Sequence, residues 1–144
     1  MKYERRRKQY GLAAVEFTIV LPLLLLLLAA VAEFGNLFIR YNTLSKAVQN
    51  GARMAVVEVY GTAKADKIAS DDKIEKAVKY GNPEVIPDAN TKPVLDSLTV
   101  NIVHNGNYVT VTAQYPYQPF LGVLLDNILD GTILTSSAVM RVTP

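Results

Sequence analysis

The chain has 144 residues, half of them hydrophobic, and a formal net charge of +2. This length fits one small domain with an anchor, and so small a domain can bury only a modest core. The chain has no cysteine, which excludes a disulfide framework, a thiolate metal site and a cysteine nucleophile.

The first eleven residues hold most of the excess positive charge. They carry a net charge of +4, whereas the rest of the chain carries −2. A basic run can bind nucleic acid, but one that directly precedes an apolar span is typical of a topology signal. We therefore predict that the basic residues keep the N-terminus in the cytoplasm, with the C-terminal part across the membrane, and we expect no nucleic-acid partner. These topology residues are Arg5, Arg6, Arg7 and Lys8.

An apolar span follows, over residues 12–32. Its 21 residues contain a single charge, Glu16. About 20 apolar residues are needed for a helix to cross the hydrocarbon core, so the span predicts a transmembrane helix. Glu16 is costly there unless it is paired or lies at the headgroups. Pro22 lacks an N–H for the Thr18 carbonyl, which predicts a kink or local loosening of the helix.

The apolar pattern continues beyond the span. Residues 33–60 carry a stripe of apolar and small side chains spaced three or four apart, which is typical of a helix that packs along another surface. No proline interrupts it, so we predict one helix from residue 12 to residue 60, about 70 Å long. Two helices with a break near residues 33–36 remain an alternative, because Gly35 weakens a helix by about 1 kcal/mol. The stripe consists of Phe34, Leu37, Tyr41, Leu44, Val48, Gly51, Ala55 and Val59.

Beyond the span, residues 33–144 are an ordinary mix that can fold in water. The segment "ASDDKIEKAVKYGNP" predicts a short helix with Ser70 as its cap and a stop at Gly81-Asn82-Pro83. Its apolar face consists of Ile74, Ala77 and Val78.

A β-hairpin is predicted for "LTVNIVHNGNYVTVTAQY", because Asn105-Gly106 is a strong two-residue turn signal. With these two residues as the loop, His104 lies opposite Asn107. The same register places apolar residues opposite one another on one face, as the pairs Ile102–Val109, Val100–Val111 and Leu98–Ala113.

The last third of the chain predicts a third strand. "FLGVLLDNIL" reads as a short apolar helix or an apolar loop, and Asp130-Gly131 makes a turn. "TILTSSAVMRV" then alternates as a strand, with Leu134, Ala138, Met140 and Val142 on one face. Three antiparallel strands and a short helix on a long helical spine predict an α+β fold.

No catalytic or cofactor site is indicated. The sole histidine, His104, lies beside the predicted turn, and no nucleophile, base and orienting group can be assigned to one cleft. A phosphate-binding loop and a metal-ligand cluster are also missing from the sequence. We therefore expect a non-enzymatic protein that needs no cofactor.

Four stretches of the chain resemble one family. "GLAAVEF", "LPLLLLLL", "AEFGNLFIRYNTL" and "NGARMA" closely resemble the TadE-like pseudopilins of tight-adherence (Flp, type IVc) pilus systems. The resemblance covers Gly11 to Val57, about a third of the chain, and fades after Tyr60. It implies that residues 61–144 are a pilin-like head on a helical spine.

The resemblance also implies a processing step. A prepilin peptidase would cut between Gly11 and Leu12, so that residues 1–11 are a basic leader. Glu16 and Phe17 then become the fifth and sixth residues of the product and form the assembly motif. The new amino group of Leu12 is largely cationic at neutral pH, and Glu16 lies one helical turn away. Glu16 would neutralise its own terminus or that of a neighbouring subunit.

The implied location is the bacterial inner membrane, with the head outside the cytoplasm. Whether the product enters the pilus, lies at its tip or acts only in the membrane stays open. The implied partners are the prepilin peptidase, other pilin-like subunits, the pilus inner-membrane platform and membrane lipid. The implied role is pilus biogenesis that supports surface attachment. Two alternatives remain open: a secreted binding or adhesive domain cut after Ala32 of "AVA", and an uncut signal anchor that carries such a domain.

Overall fold

A computed structural model of the chain describes residues 5–57, 68–88, 90–122, 129 and 131–142, with the backbone alone at 5–10. Val59, at the end of the predicted stripe, lies outside the described residues. Most of the segment "FLGVLLDNIL" also lies outside them, so the choice between a helix and a loop there stays a prediction.

The first element, α1, is a helix over Arg5–Val57. It continues without a break through residues 33–36, where the alternative of two helices placed an interruption. Pro22 lies inside the helix. One turn before it, the Thr18 hydroxyl donates to the Ala14 carbonyl at 2.8 Å, as hydroxyls in helices commonly do.

The second helix, α2, spans Asp71–Tyr80. It ends at Gly81, whose left-handed φ of 75° lets its N–H donate to the carbonyl of Ala77 at 3.1 Å. Ser70 stands at the N-cap position, but the prediction that its side chain caps the helix is wrong, because the hydroxyl makes no capping hydrogen bond. The predicted apolar face is confirmed, since Ile74, Ala77 and Val78 are buried.

Three antiparallel strands form one sheet in the order β1-β2-β3. They span Thr99–Asn105, Tyr108–Pro116 and Ile133–Arg141. The predicted α+β arrangement of a long apolar helix, a short helix and a three-stranded sheet is therefore confirmed. His104 is exposed, as the sequence predicts for a residue near a turn.

The predicted hairpin register is wrong by two residues. Asn105 lies opposite Tyr108, so the two-residue loop is Gly106-Asn107, and Val111 lies opposite Ile102. Gly106 has a φ of 57° and takes the first central position, as in a type II′ turn, whereas the prediction gave it the second central position. A shift of two residues preserves the alternation, so the predicted inward-facing residues still share one face.

The chain divides into two compact units, residues 1–36 and 37–144. The second unit contains the hydrophobic core. Helix α1 contributes Leu44, Val48, Ala52 and Ala55, and β2 contributes Val109, Val111 and Ala113, all fully buried. Because the division falls inside α1, residues 37–57 belong to the same compact unit as the head.

Candidate membrane and assembly segment

The apolar surface of α1 is the largest exposed feature of the N-terminal unit. Residues 23–28 are consecutive leucines whose side chains are 48–72% exposed, and no residue of the most apolar 18-residue window is buried inside the protein. So large a contiguous apolar surface is unfavourable in water and favourable in lipid. This helix is long and apolar enough to cross a membrane, and it fits a single-pass anchor.

The predicted processing site lies on the surface of α1. The helix continues across the peptide bond between Gly11 and Leu12 in the uncut chain. A Cβ added at Gly11 would meet no atom within 4 Å, and Leu12 is exposed. No neighbouring part of the described chain therefore covers this bond.

The predicted assembly motif follows one turn later, and Glu16 and Phe17 are both exposed on α1. The topology residues form the first turn of the same helix, where the structure describes the backbone. The structure thus places the topology residues, the predicted cut site and the predicted assembly motif on one continuous helix.

The predicted packing stripe divides into two parts. Leu44, Val48, Gly51 and Ala55 are buried, and Leu37 packs partly buried against the same core. Phe34 and Tyr41 are exposed instead, and so are Phe38 and Ile39, which lie off the stripe. The head covers only the C-terminal part of the stripe, because the described core begins at the level of Leu37.

Asn50 and Gly51, in the "NGARMA" stretch, hold α2 against α1. The Asn50 amide nitrogen donates to the carbonyls of Ala77 at 3.2 Å and Gly81 at 3.3 Å, so it caps the C-terminus of α2. A Cβ added at Gly51 would collide with the side chain of Val78. Only glycine allows the two helices to approach this closely.

Sequence reasoning missed two polar residues of α1. It assigned Asn50 no role, although adjacent asparagine and glycine inside a helix are poor helix formers and so indicate a tertiary requirement. It treated Glu33 only as the boundary of the span, yet this side chain is 4% exposed and therefore shielded from water. No pattern in the sequence pointed to the burial of Glu33.

An open cavity of about 280 Å³ lies between α1 and the C-terminal end of α2. It is lined by mostly apolar surface, with Lys46 and Asn50 at its polar side. Among the described residues, no group of three or more acidic or histidine side chains could hold a metal ion. The cavity therefore offers apolar contact and a few hydrogen-bonding groups.

The described geometry defines a class: a small α+β domain joined to one helix that can serve as a single-pass membrane anchor. Residues 11–53 match the family model for TadE-like protein, which confirms the resemblance drawn from the sequence. No curated protein and no solved structure is significantly similar to the chain.

The matched segment contains the exposed N-terminal residues of the span as well as Asn50 and Gly51, and it ends before α2. A TadE-like domain indicates a role in Tad pilus systems and association with pilus components.

Proposed function

We propose that this protein is a non-enzymatic pseudopilin or minor pilin-like component of tight-adherence (Flp, type IVc) pilus biogenesis. The observation that supports it most is the position of the TadE-like match. The match begins at Gly11, the residue before the expected cut, and continues along the exposed apolar part of α1. The protein lies in the bacterial inner membrane, with its head outside the cytoplasm.

A prepilin peptidase cuts the bond between Gly11 and Leu12 in this proposal. The openness of the helix surface around Gly11 supports it, because a peptidase must reach the bond. The cut removes the basic leader and leaves α1 with a new, cationic N-terminus at Leu12.

Glu16 then serves assembly. It lies one helical turn from the new terminus, and the N-terminus of a helix favours a nearby carboxylate. Its exposure leaves it able to pair with the ammonium of its own chain or with that of a neighbouring pilin-like subunit. Either pairing removes the cost of an isolated charge near lipid. The partners are other pilin-like subunits and the inner-membrane platform, and the assembled system supports surface attachment.

The intact mass of the membrane-extracted protein from its native host tests the processing step. We expect a chain that begins at Leu12, and we expect Gly11→Val to block the cut by crowding the site. Gly35→Val on the same helix is the matched control and leaves processing intact, since a Cβ at Gly35 also meets no atom within 4 Å. A mature chain that begins at Glu33 would support the secreted domain instead, and an uncut chain would support the signal anchor.

Substitution of Glu16 tests assembly separately. We expect Glu16→Ala and Glu16→Gln to give the normal mature mass but to lose surface pili and adherence, because both remove the carboxylate charge. Glu84→Gln, at an exposed position of the head outside the family match, is the control and should behave as wild type. Wild-type pili from Glu16→Gln would show that the ion pair is not needed.

A further inference from the structure

We propose that the outer edge of β3 pairs antiparallel with β3 of a second copy of this chain and joins two three-stranded sheets into one of six strands. The sheet order β1-β2-β3 leaves β3 at an edge, and no other described strand pairs with it. A strand edge presents backbone N–H and C=O groups that can pair with another chain. This pairing is independent of any cut at Gly11.

The edge lacks the features that usually prevent such pairing. Proteins protect their edge strands with proline, lysine, bulges or short length. β3 has nine residues, pairs with β2 without a bulge and contains no proline, and its one charged residue is Arg141 at its end. The opposite edge, β1, is shorter and lies beside α2. Among the elements that the structure describes, none packs against the outer edge of β3, so this edge is the more open of the two.

The sequence of β3 is complementary to itself in one antiparallel register, centred on Ser136. This register places Ile133 opposite the partner's Val139. The two residues are 58% and 60% exposed, and both lie on the outward face of the sheet. Pairing would cover two apolar side chains that the single chain leaves in water.

The inward face is equally compatible with this register. Leu134 lies opposite the partner's Ala138, and both of these side chains pack partly buried against the hydrophobic core. Arg141 lies beyond residues 133–139, which pair in this register and carry no charge, so no like charges meet along the paired strands. These matches on both faces favour a second copy over an unrelated peptide as the occupant.

Sedimentation of the full, uncut chain in detergent tests the pairing, and the sheet supplies a matched pair of variants. Val139 and Val103 lie in the same outward row across the sheet, on opposite edge strands, and are similarly exposed. We expect a wild-type dimer whose dissociation constant rises at least tenfold in Val139→Lys and stays unchanged in Val103→Lys. A monomeric wild type, or a dimer that Val139→Lys does not weaken, would overturn the proposal.

The register is tested by cross-linking, since the chain has no cysteine of its own. Thr135 lies opposite the partner's Ser137 in the proposed register, and both residues are exposed. We expect Thr135→Cys and Ser137→Cys chains with different tags to form a mixed disulfide more readily than either variant forms with itself. In the control, chains with Thr99→Cys on β1 are mixed with Ser137→Cys chains, and we expect no mixed disulfide between them. An excess of either self-linked product would overturn the register.

Discussion

At the scale of single residues, Gly51 sets the distance between α1 and α2. Its Cα faces the Val78 side chain, and the backbone carbonyl of Ile74 would lie 3.5 Å from an added Cβ. We expect Gly51→Val to lower the free energy of unfolding of the head by about 1–3 kcal/mol, because added atoms overpack a filled core. Denaturant unfolding followed by tyrosine fluorescence measures this, since the chain has eight tyrosines and no tryptophan.

Gly35→Val is the control for that measurement, because it changes the same residue type on the same helix where no atom lies within 4 Å. It should leave the unfolding transition of the head unchanged. Equal stability of the two variants would contradict the close approach of α1 and α2 at Gly51.

Hydrogen bonds within a loop lower the pKa of Asp88 from its ordinary value. The Thr91 hydroxyl donates to its carboxylate at 2.6 Å and the Asn90 backbone N–H at 3.0 Å, and both bonds hold the pKa below 3.8. These bonds favour the ionised form, so their contribution to stability is present above the pKa of the unfolded chain. It is lost as the pH falls through the lower folded pKa.

Thr91→Val tests this loop, since it removes the hydroxyl and keeps the shape of the side chain. We expect the pKa of Asp88, followed by NMR titration, to rise toward 3.8, because the largest cause of its lowering is gone. Thr99→Val, at an exposed position on β1, is the control and should leave the pKa of Asp88 low. If the pKa of Asp88 does not change in Thr91→Val, the backbone hydrogen bonds and not the Thr91 hydroxyl are the cause of the lowered pKa.

At the scale of elements, the β1–β2 hairpin makes the clearest prediction. We expect NOE contacts between Ile102 and Val111 and between Val100 and Ala113, as the observed register requires. A contact between Val100 and Val111 that is stronger than the contact between Val100 and Ala113 would support the register that the Asn-Gly signal predicts. Val111→Asp should cost a few kcal/mol of stability, because it places an unpaired charge at a fully buried position. Gln114→Asp, exposed on the same strand, should cost little.

The hairpin shows which part of an element can be predicted from sequence. The alternation has a period of two, so it identifies the inward residues but is equally satisfied by two registers that differ by two residues. The choice between them depends on which turn position Gly106 takes, and Asn-Gly and Gly-Asn overlap in this sequence.

A similar limit applies to α1. Its apolar spacing predicts a long helix, but spacing cannot tell that Phe34 stays exposed while Leu44 is buried.

Contacts between distant elements were the least predictable. Asn50 caps α2 through the carbonyl of Ala77, 27 residues later in the chain, and nothing local in the sequence specifies that partner. The burial of Glu33 was not predicted either, because a carboxylate beside an apolar span is typical of a boundary residue. The candidate segment at Gly11 to Phe17 could be found from sequence because it is continuous, and the family match covers it.

At the scale of the whole molecule, the charge asymmetry predicts orientation in the membrane. The leader carries +4, and basic residues next to a span are retained on the cytoplasmic side. We therefore expect the head to lie outside the cytoplasm. Ile86 is 86% exposed, so Ile86→Cys reports the position of the head without disturbing its core. We expect a membrane-impermeant maleimide to label this cysteine in intact spheroplasts.

The control uses a host without a prepilin peptidase, so that the leader stays on the chain. There, Tyr3→Cys should be labelled only after lysis, because it precedes the span on the cytoplasmic side.

Replacement of Arg5, Arg6, Arg7 and Lys8 by glutamine should lower the fraction of Ile86→Cys chains that are labelled before lysis, since the basic charges that hold the leader inside are gone. Lysine-to-glutamine changes at Lys73 and Lys76, in the head, alter the net charge without altering the leader and should leave labelling unchanged. If the maleimide labels Tyr3→Cys but not Ile86→Cys in intact spheroplasts, the head faces the cytoplasm, and the proposed role of the head outside the cytoplasm is wrong.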